Sequence, residues 1–134
     1  MILRRTSDGW DGVPAETYKD EPETWLKVTR HVLFESKESQ FQGRYFEIGP
    51  GGHTSLERHE HEHFVTVLVG SGVVVLGDRE YRVATGDVVQ VRSGVPHCFR
   101  NPGEAPFGIL CVVDRVRDRP VLLDPQALAD RPTV

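Results

Sequence analysis

Glycine and proline interrupt this chain about every eight to twelve residues, and the segments between them are rich in Val, Ile, Leu, Phe and Tyr. Segments that short hold few helical turns, yet each is long enough to cross one β-layer. Branched and aromatic side chains also pack well on a pleated surface. The rhythm therefore predicts an all-β sandwich or barrel, with strands over 27–34, 44–48, 54–59, 64–69, 72–76, 79–83, 87–91, 97–100 and 108–114. Gly77-Asp78 between two short apolar runs reads as a hairpin turn, and Gly49-Pro50-Gly51-Gly52 as a sharp loop.

At 134 residues the chain fits one core-forming domain. Its ends differ from its middle. Residues 1–24 are polar, hold no periodic pattern and are expected to form an irregular N-terminal arm, with Trp10 and Trp25 as anchors on the barrel or on a second subunit. Residues 25–116 carry the strand pattern, and 117–134 form a charged tail. In the tail, Asp124 as N-cap and Pro125 at the first helical position predict a short helix. A net charge of −4 leaves no broad basic field for nucleic acid or an anionic membrane. The longest apolar run, 64–69, is too short to span a bilayer, and residues 1–5 lack the apolar core of a secretory signal, so a cytoplasmic protein is expected. The two cysteines, Cys98 and Cys111, form no CxxC pair and read as reduced.

Chemistry concentrates in Glu57-Arg58-His59-Glu60-His61-Glu62-His63, which runs straight into an apolar strand. Residues two apart on a strand share a face, so Glu57 and His59 do, and His61 and His63 would if the strand continued. Neutral imidazole and carboxylate suit Zn, Fe, Mn, Ni or Co. The same alternation also suits a solvated strand edge blunted by charge. A second element lies downstream: turn Gly86-Asp87, strand, turn Ser93-Gly94-Val95-Pro96, then His97. A histidine directly after a tight turn can be aimed at a fixed point across a barrel; otherwise it is a half-buried histidine bonded to backbone. His31 and His53 lack spaced partners and read as surface or satisfied core positions.

In order and spacing the two segments resemble the two motifs of the cupin family. Gly51 or Gly52, Glu57-x-His59, His63 and Gly70 follow the first motif. Gly86, Gly94, His97 and Asn101 follow the second, with Arg92 where proline usually stands. The resemblance implies an antiparallel double-stranded β-helix, the jelly-roll barrel, holding one divalent transition metal (Mn, Fe, Zn or Ni). Carried over position by position, the ligands are Glu57, His59, His63 and His97. Two positions depart from the family pattern: Glu57 stands where it has its first histidine, and His63 where it has its glutamate. The second change resembles the four-histidine manganese branch, in which a cysteine at the spacing of Cys111 lines the pocket. Phe46, Ile48, Phe99 and Ile109 are further candidate pocket walls, though most such residues are simply core. A turn between His59 and His63 would send His61 outward, to an outer-shell or surface role.

One carboxylate on a divalent ion leaves a net charge of +1, which favours an anionic partner. The expected function is a metal-dependent, Fe or Mn, dioxygenase-type oxidoreductase acting on a small anionic or enolisable molecule. A non-redox isomerase or lyase, and a non-enzymatic ligand-binding cupin, are the alternatives. No dedicated general base is assignable; Glu57 shifting off the metal is the one catalytic candidate. Small cupins often dimerise through an N-terminal strand, which here implies a homodimer built on residues 25–35.

Overall fold

Alternation decides which side of each strand turns inward. In the computed structural model, which describes residues 1–18, 24–124 and 126, the strands are β1 (Arg5–Thr6), β2 (Gly9–Trp10), β3 (Glu16–Thr17), β4 (Leu26–Phe34), β5 (Phe41–His53), β6 (Glu57–Arg58) and β7 (His63–Val69). They continue as β8 (Ser71–Leu76), β9 (Arg79–Ala84), β10 (Val88–Val91), β11 (His97–Arg100), β12 (Phe107–Asp114) and β13 (Val121–Leu122). All but the β1–β2 hairpin join one curled antiparallel sheet in the order β10-β7-β12-β5-β11-β6-β13, with β4 and β3 added on β5, and β8 and β9 on β11. This is the all-β double-stranded β-helix that the motifs imply.

Odd residues of β7 and β12 point inward, so Val65, Val67, Ile109, Cys111 and Val113 meet Phe46, Val74 and Phe99 in the main core, beside a smaller cluster of Leu56, Val75 and Cys98. Each such side chain contributes about 1.5–3 kcal/mol on burial. The central strand β5 is covered on both faces. Arg44, Phe46 and Ile48 face the interior, while Tyr45 is buried on the other side by Trp10, edge-on at 5.8 Å, and by His31 at 5.7 Å. His31 is thus a core histidine. Gly70 links β7 to β8 with φ at 69°, and a Cβ there would run into the Pro106 carbonyl.

Four expectations change. The run Gly49-Pro50-Gly51-Gly52 is not a loop: β5 continues through it to His53, because Gly51 and Gly52 exchange backbone hydrogen bonds with Asn101 at 2.9 Å each. The strand expected over 54–59 shortens to Glu57–Arg58, since Thr54 and Leu56 direct their backbone groups to Phe99 and Leu123. The N-terminal arm is partly regular: β1 and β2 form a hairpin that carries Trp10 onto Tyr45, and β3 pairs with β4. Beyond residue 116 the chain returns to the barrel, where β13 pairs with β6 through Val121↔Arg58 and Leu122↔Glu57. The short helix expected to start at Asp124-Pro125 lies, apart from Asp124 and Gln126, outside the described residues; Asp124 Oδ1 does accept the Gln126 N–H at 2.9 Å.

Candidate metal centre

Three strand ends bring the histidines together. His97 opens β11 opposite Glu57 of β6, and His63 opens β7 opposite Val91 and Val113. His59 sits where β6 gives way to a bend. One ring nitrogen from each of His59, His63 and His97 lies within 4.8 Å of the others.

The backbone settles the tautomers of two rings. His59 Nδ1 donates to the His61 carbonyl at 2.7 Å, and His97 Nδ1 to the Val95 carbonyl at 3.0 Å. A carbonyl only accepts, so each Nδ1 carries the hydrogen and each neutral ring presents a bare lone pair at Nε2. These two Nε2 atoms are 3.1 Å apart. Two lone pairs held that close repel unless a cation lies between them. The third ring adds a buried Nε2 with no hydrogen-bond partner among the described residues, while its Nδ1 meets Cys111 Sγ at 3.2 Å. Burial is the main force lowering all three imidazoles, His97 to about 4 and His63 to about 2, with His59 lowered in the same direction. Neutral, oriented imidazoles with unfilled nitrogens are the donors a transition metal takes, so the residues present fit such an ion.

Glu57 lies beside this group. Its Oε1 is 3.9 Å from His59 Nε2, and its Oε2 accepts the Ser55 hydroxyl hydrogen at 2.5 Å. His61 does not leave for solvent as the bend alone would suggest. Its ring stacks on His59 with centroids 3.6 Å apart and planes 6° from parallel. Asp118 causes this: its carboxylate accepts the backbone N–H of Glu60 at 2.8 Å, that of His61 at 2.9 Å, and His61 Nδ1 at 2.7 Å. Those donors hold the Asp118 carboxyl below the usual range. A tail residue therefore clamps the histidine bend.

His61, His63 and His97 open on a cavity of about 140 Å³, room for about five waters. That suits a small molecule. Phe46, Phe99, Ile109 and Cys111 border it, whereas Ile48, fully buried, belongs to the core behind it. Burial raises the Cys111 thiol, and Cys98, also buried, is pushed up to about 12. Arg44, Arg117 and Asp118 line the cavity as well. The alternation of β5 with Phe46 was a signal for the facing of Arg44. Arg117 and Asp118 stand in a charged run, Asp114-Arg115-Val116-Arg117-Asp118-Arg119, with no motif to single them out.

An antiparallel β-helix with three histidines grouped so that they could hold a metal ion defines a small single-domain barrel. Residues 44–113 match the family described as "Cupin domain", and the chain belongs to the cupin family. It is 42% identical over 114 residues, 84% of this chain and 73% of the relative, to a Rhodospirillum rubrum protein named 1-methylthio-D-xylulose 5-phosphate methylsulfurylase. Among solved structures it resembles a cupin 2 conserved barrel domain protein from Rhodopseudomonas palustris, 36% identical, with a TM-score of 0.87 over 97% of this chain and 91% of the other. The polyketide cyclase RemF from Streptomyces resistomycificus is 28% identical, with a TM-score of 0.78 over 92% and 86%. Among the described residues no helix is long and apolar enough to cross a membrane.

Proposed function

We propose that this cupin is a metal-dependent enzyme acting on a small anionic carbonyl compound, with one divalent transition metal held by His59, His63 and His97 and completed by Glu57. The pair of bare Nε2 atoms 3.1 Å apart carries this reading. Three neutral imidazoles and one carboxylate suit Mn, Fe, Zn or Ni. When bound, such an ion supplies Lewis acidity toward a carbonyl or enolate oxygen.

The chain's own residues do the rest. The His61 and Val95 carbonyls keep the His59 and His97 lone pairs aimed inward. Phe46, Phe99 and Ile109 exclude water from one side of the cavity. His61 borders the cavity with Nε2 able to accept a proton from a bound molecule, since Asp118 occupies its Nδ1; Glu57 Oε1 can do so only when it is off the metal, since Ser55 occupies Oε2.

The relative named for a methylthio ketose phosphate, itself a small anionic carbonyl compound, supports a substrate of this class. The dioxygenase expected from the sequence would use the same donor set with Fe or Mn, so turnover conditions separate the two. Metal-loaded protein is incubated with 1-methylthio-D-xylulose 5-phosphate while its consumption and dissolved O₂ are followed. Consumption without O₂ uptake supports the non-redox reading. Substrate-dependent O₂ uptake moves the assignment to the dioxygenase. Full metal retention after His59→Ala and His97→Ala removes the ligand set from both. A homodimer through residues 25–35 belongs to the same proposal, and monomeric behaviour in light scattering at micromolar concentration overturns it.

A further inference from the structure

We propose that Arg44 and Arg117 form a phosphate-monoester subsite on the cavity wall, one side chain away from the histidine group. It deepens the reading of the cavity as a substrate site and names the anionic group that site takes.

Arg44 is a buried cation without a counter-ion among the described residues. Its residue is 6% exposed, and its Nε has no hydrogen-bond partner among the described residues. The guanidinium lies over the Phe46 ring at 4.9 Å, and Nη2 reaches only Cys111 Sγ, at 3.7 Å. Arginine does not escape by losing its proton, and an unpaired buried charge is costly. The rigid register of β5 on β12, Arg44 opposite Cys111, fixes the head at the cavity.

A second guanidinium joins it. Arg117 borders the same cavity and bonds only to neutral acceptors, Gln42 Oε1 at 3.1 Å and the Asp114 carbonyl at 2.9 Å. Arg117 is itself exposed to solvent, and it shares the cavity lining with the buried Arg44. Among the described residues no carboxylate makes an ion pair with either. The acids on this cavity are engaged elsewhere, Glu57 by Ser55 and Asp118 by His61, and neighbouring Arg30 is paired with Glu16 at 2.8 Å.

A dianion can pair with both guanidiniums at once, which a single carboxylate does less well. A phosphate monoester carries that charge and offers oxygens for two guanidinium forks. Cys111 Sγ, 3.7 Å from Arg44 and 3.2 Å from His63 Nδ1, marks the short span between the two sites. A molecule with a phosphate at one end thus presents its other end to the imidazoles.

The test is calorimetric titration with inorganic phosphate and with acetate of the purified wild type, His59→Ala, Arg117→Met and Arg44→Lys, with metal content measured on each. The subsite predicts phosphate binding that His59→Ala leaves unchanged and Arg117→Met weakens at least about tenfold. Arg44→Lys, which keeps the charge and loses the fork, should lie between, with acetate far weaker than phosphate throughout. Should Arg117→Met misfold, Arg44→Lys alone decides, with an unchanged affinity overturning the subsite. Phosphate affinity that falls with His59→Ala and ignores the arginines would place the anion on the metal and overturn the subsite while leaving the metal enzyme intact. Loss of metal in His59→Ala with phosphate binding retained keeps both readings.

Discussion

Acidification should destabilise the metal-free protein through the same imidazoles that bind metal, and His97→Asn isolates one of them. His97 is 4% exposed and its pKa is lowered from 6.5 to about 4. Above pH 6.5 the ring is neutral in both folded and unfolded chains and contributes no pH dependence. Between pH 6.5 and 4 the unfolded chain takes up a proton that the folded one refuses, so stability falls as pH falls. From pH 7 to pH 5 that linkage amounts to about 2 kcal/mol for His97 alone. His63, lowered further, adds a loss of similar size over the same interval. Urea unfolding in the presence of a chelator, at pH 7 and pH 5, measures it. The asparagine side chain keeps a donor for the Val95 carbonyl and does not titrate, so the variant should lose about 2 kcal/mol less than wild type on acidification. Equal losses in the two proteins would show that His97 titrates normally in the fold and would refute the buried, neutral, ligand-ready imidazole.

Three further outcomes follow from the geometry. Asp118→Asn removes the anion that gathers two backbone N–H groups and His61 Nδ1, so the histidine bend should loosen and metal affinity fall about tenfold in a competition titration with a chromogenic chelator, with the melting temperature changing little. Glu57→Gln should weaken metal binding in the same assay and leave the fold intact; unchanged affinity and coordination geometry would remove Glu57 from the ligand set. Gly70→Ala forces a side chain into a left-handed turn against the Pro106 carbonyl and should cost about 2 kcal/mol by chemical denaturation, with metal stoichiometry unaffected.

What was legible in the chain is what depends on local pattern. Strand alternation puts Ile109, Cys111 and Val113 on one face, which is the buried one, and the turns at Gly77, Gly86 and Gly94 come where positive φ requires them. His59, His63 and His97 were singled out by their places in the two spaced motifs, and the structure brings one ring nitrogen of each within 4.8 Å of the others. What stayed hidden depends on partners far along the chain. Gly49-Pro50-Gly51-Gly52 reads locally as a loop and becomes strand only because Asn101 supplies hydrogen bonds from β11's end. His61 turns back onto His59 only because Asp118, 57 residues later, holds it. Arg117 gains its place from a tail that looks like solvated charge until β13 pairs with β6 and draws the segment over the cavity mouth.

The central claim is that His59, His63 and His97 hold a metal ion. Elemental analysis of protein purified without chelators, wild type beside the His59→Ala/His97→Ala double variant, tests it most directly. The geometry predicts about one equivalent of a divalent transition metal per wild-type chain and almost none in the variant, with both proteins folded by circular dichroism. A wild type that stays metal-free after incubation with Mn, Fe, Zn and Ni in turn, or a double variant that keeps its full complement, would contradict it.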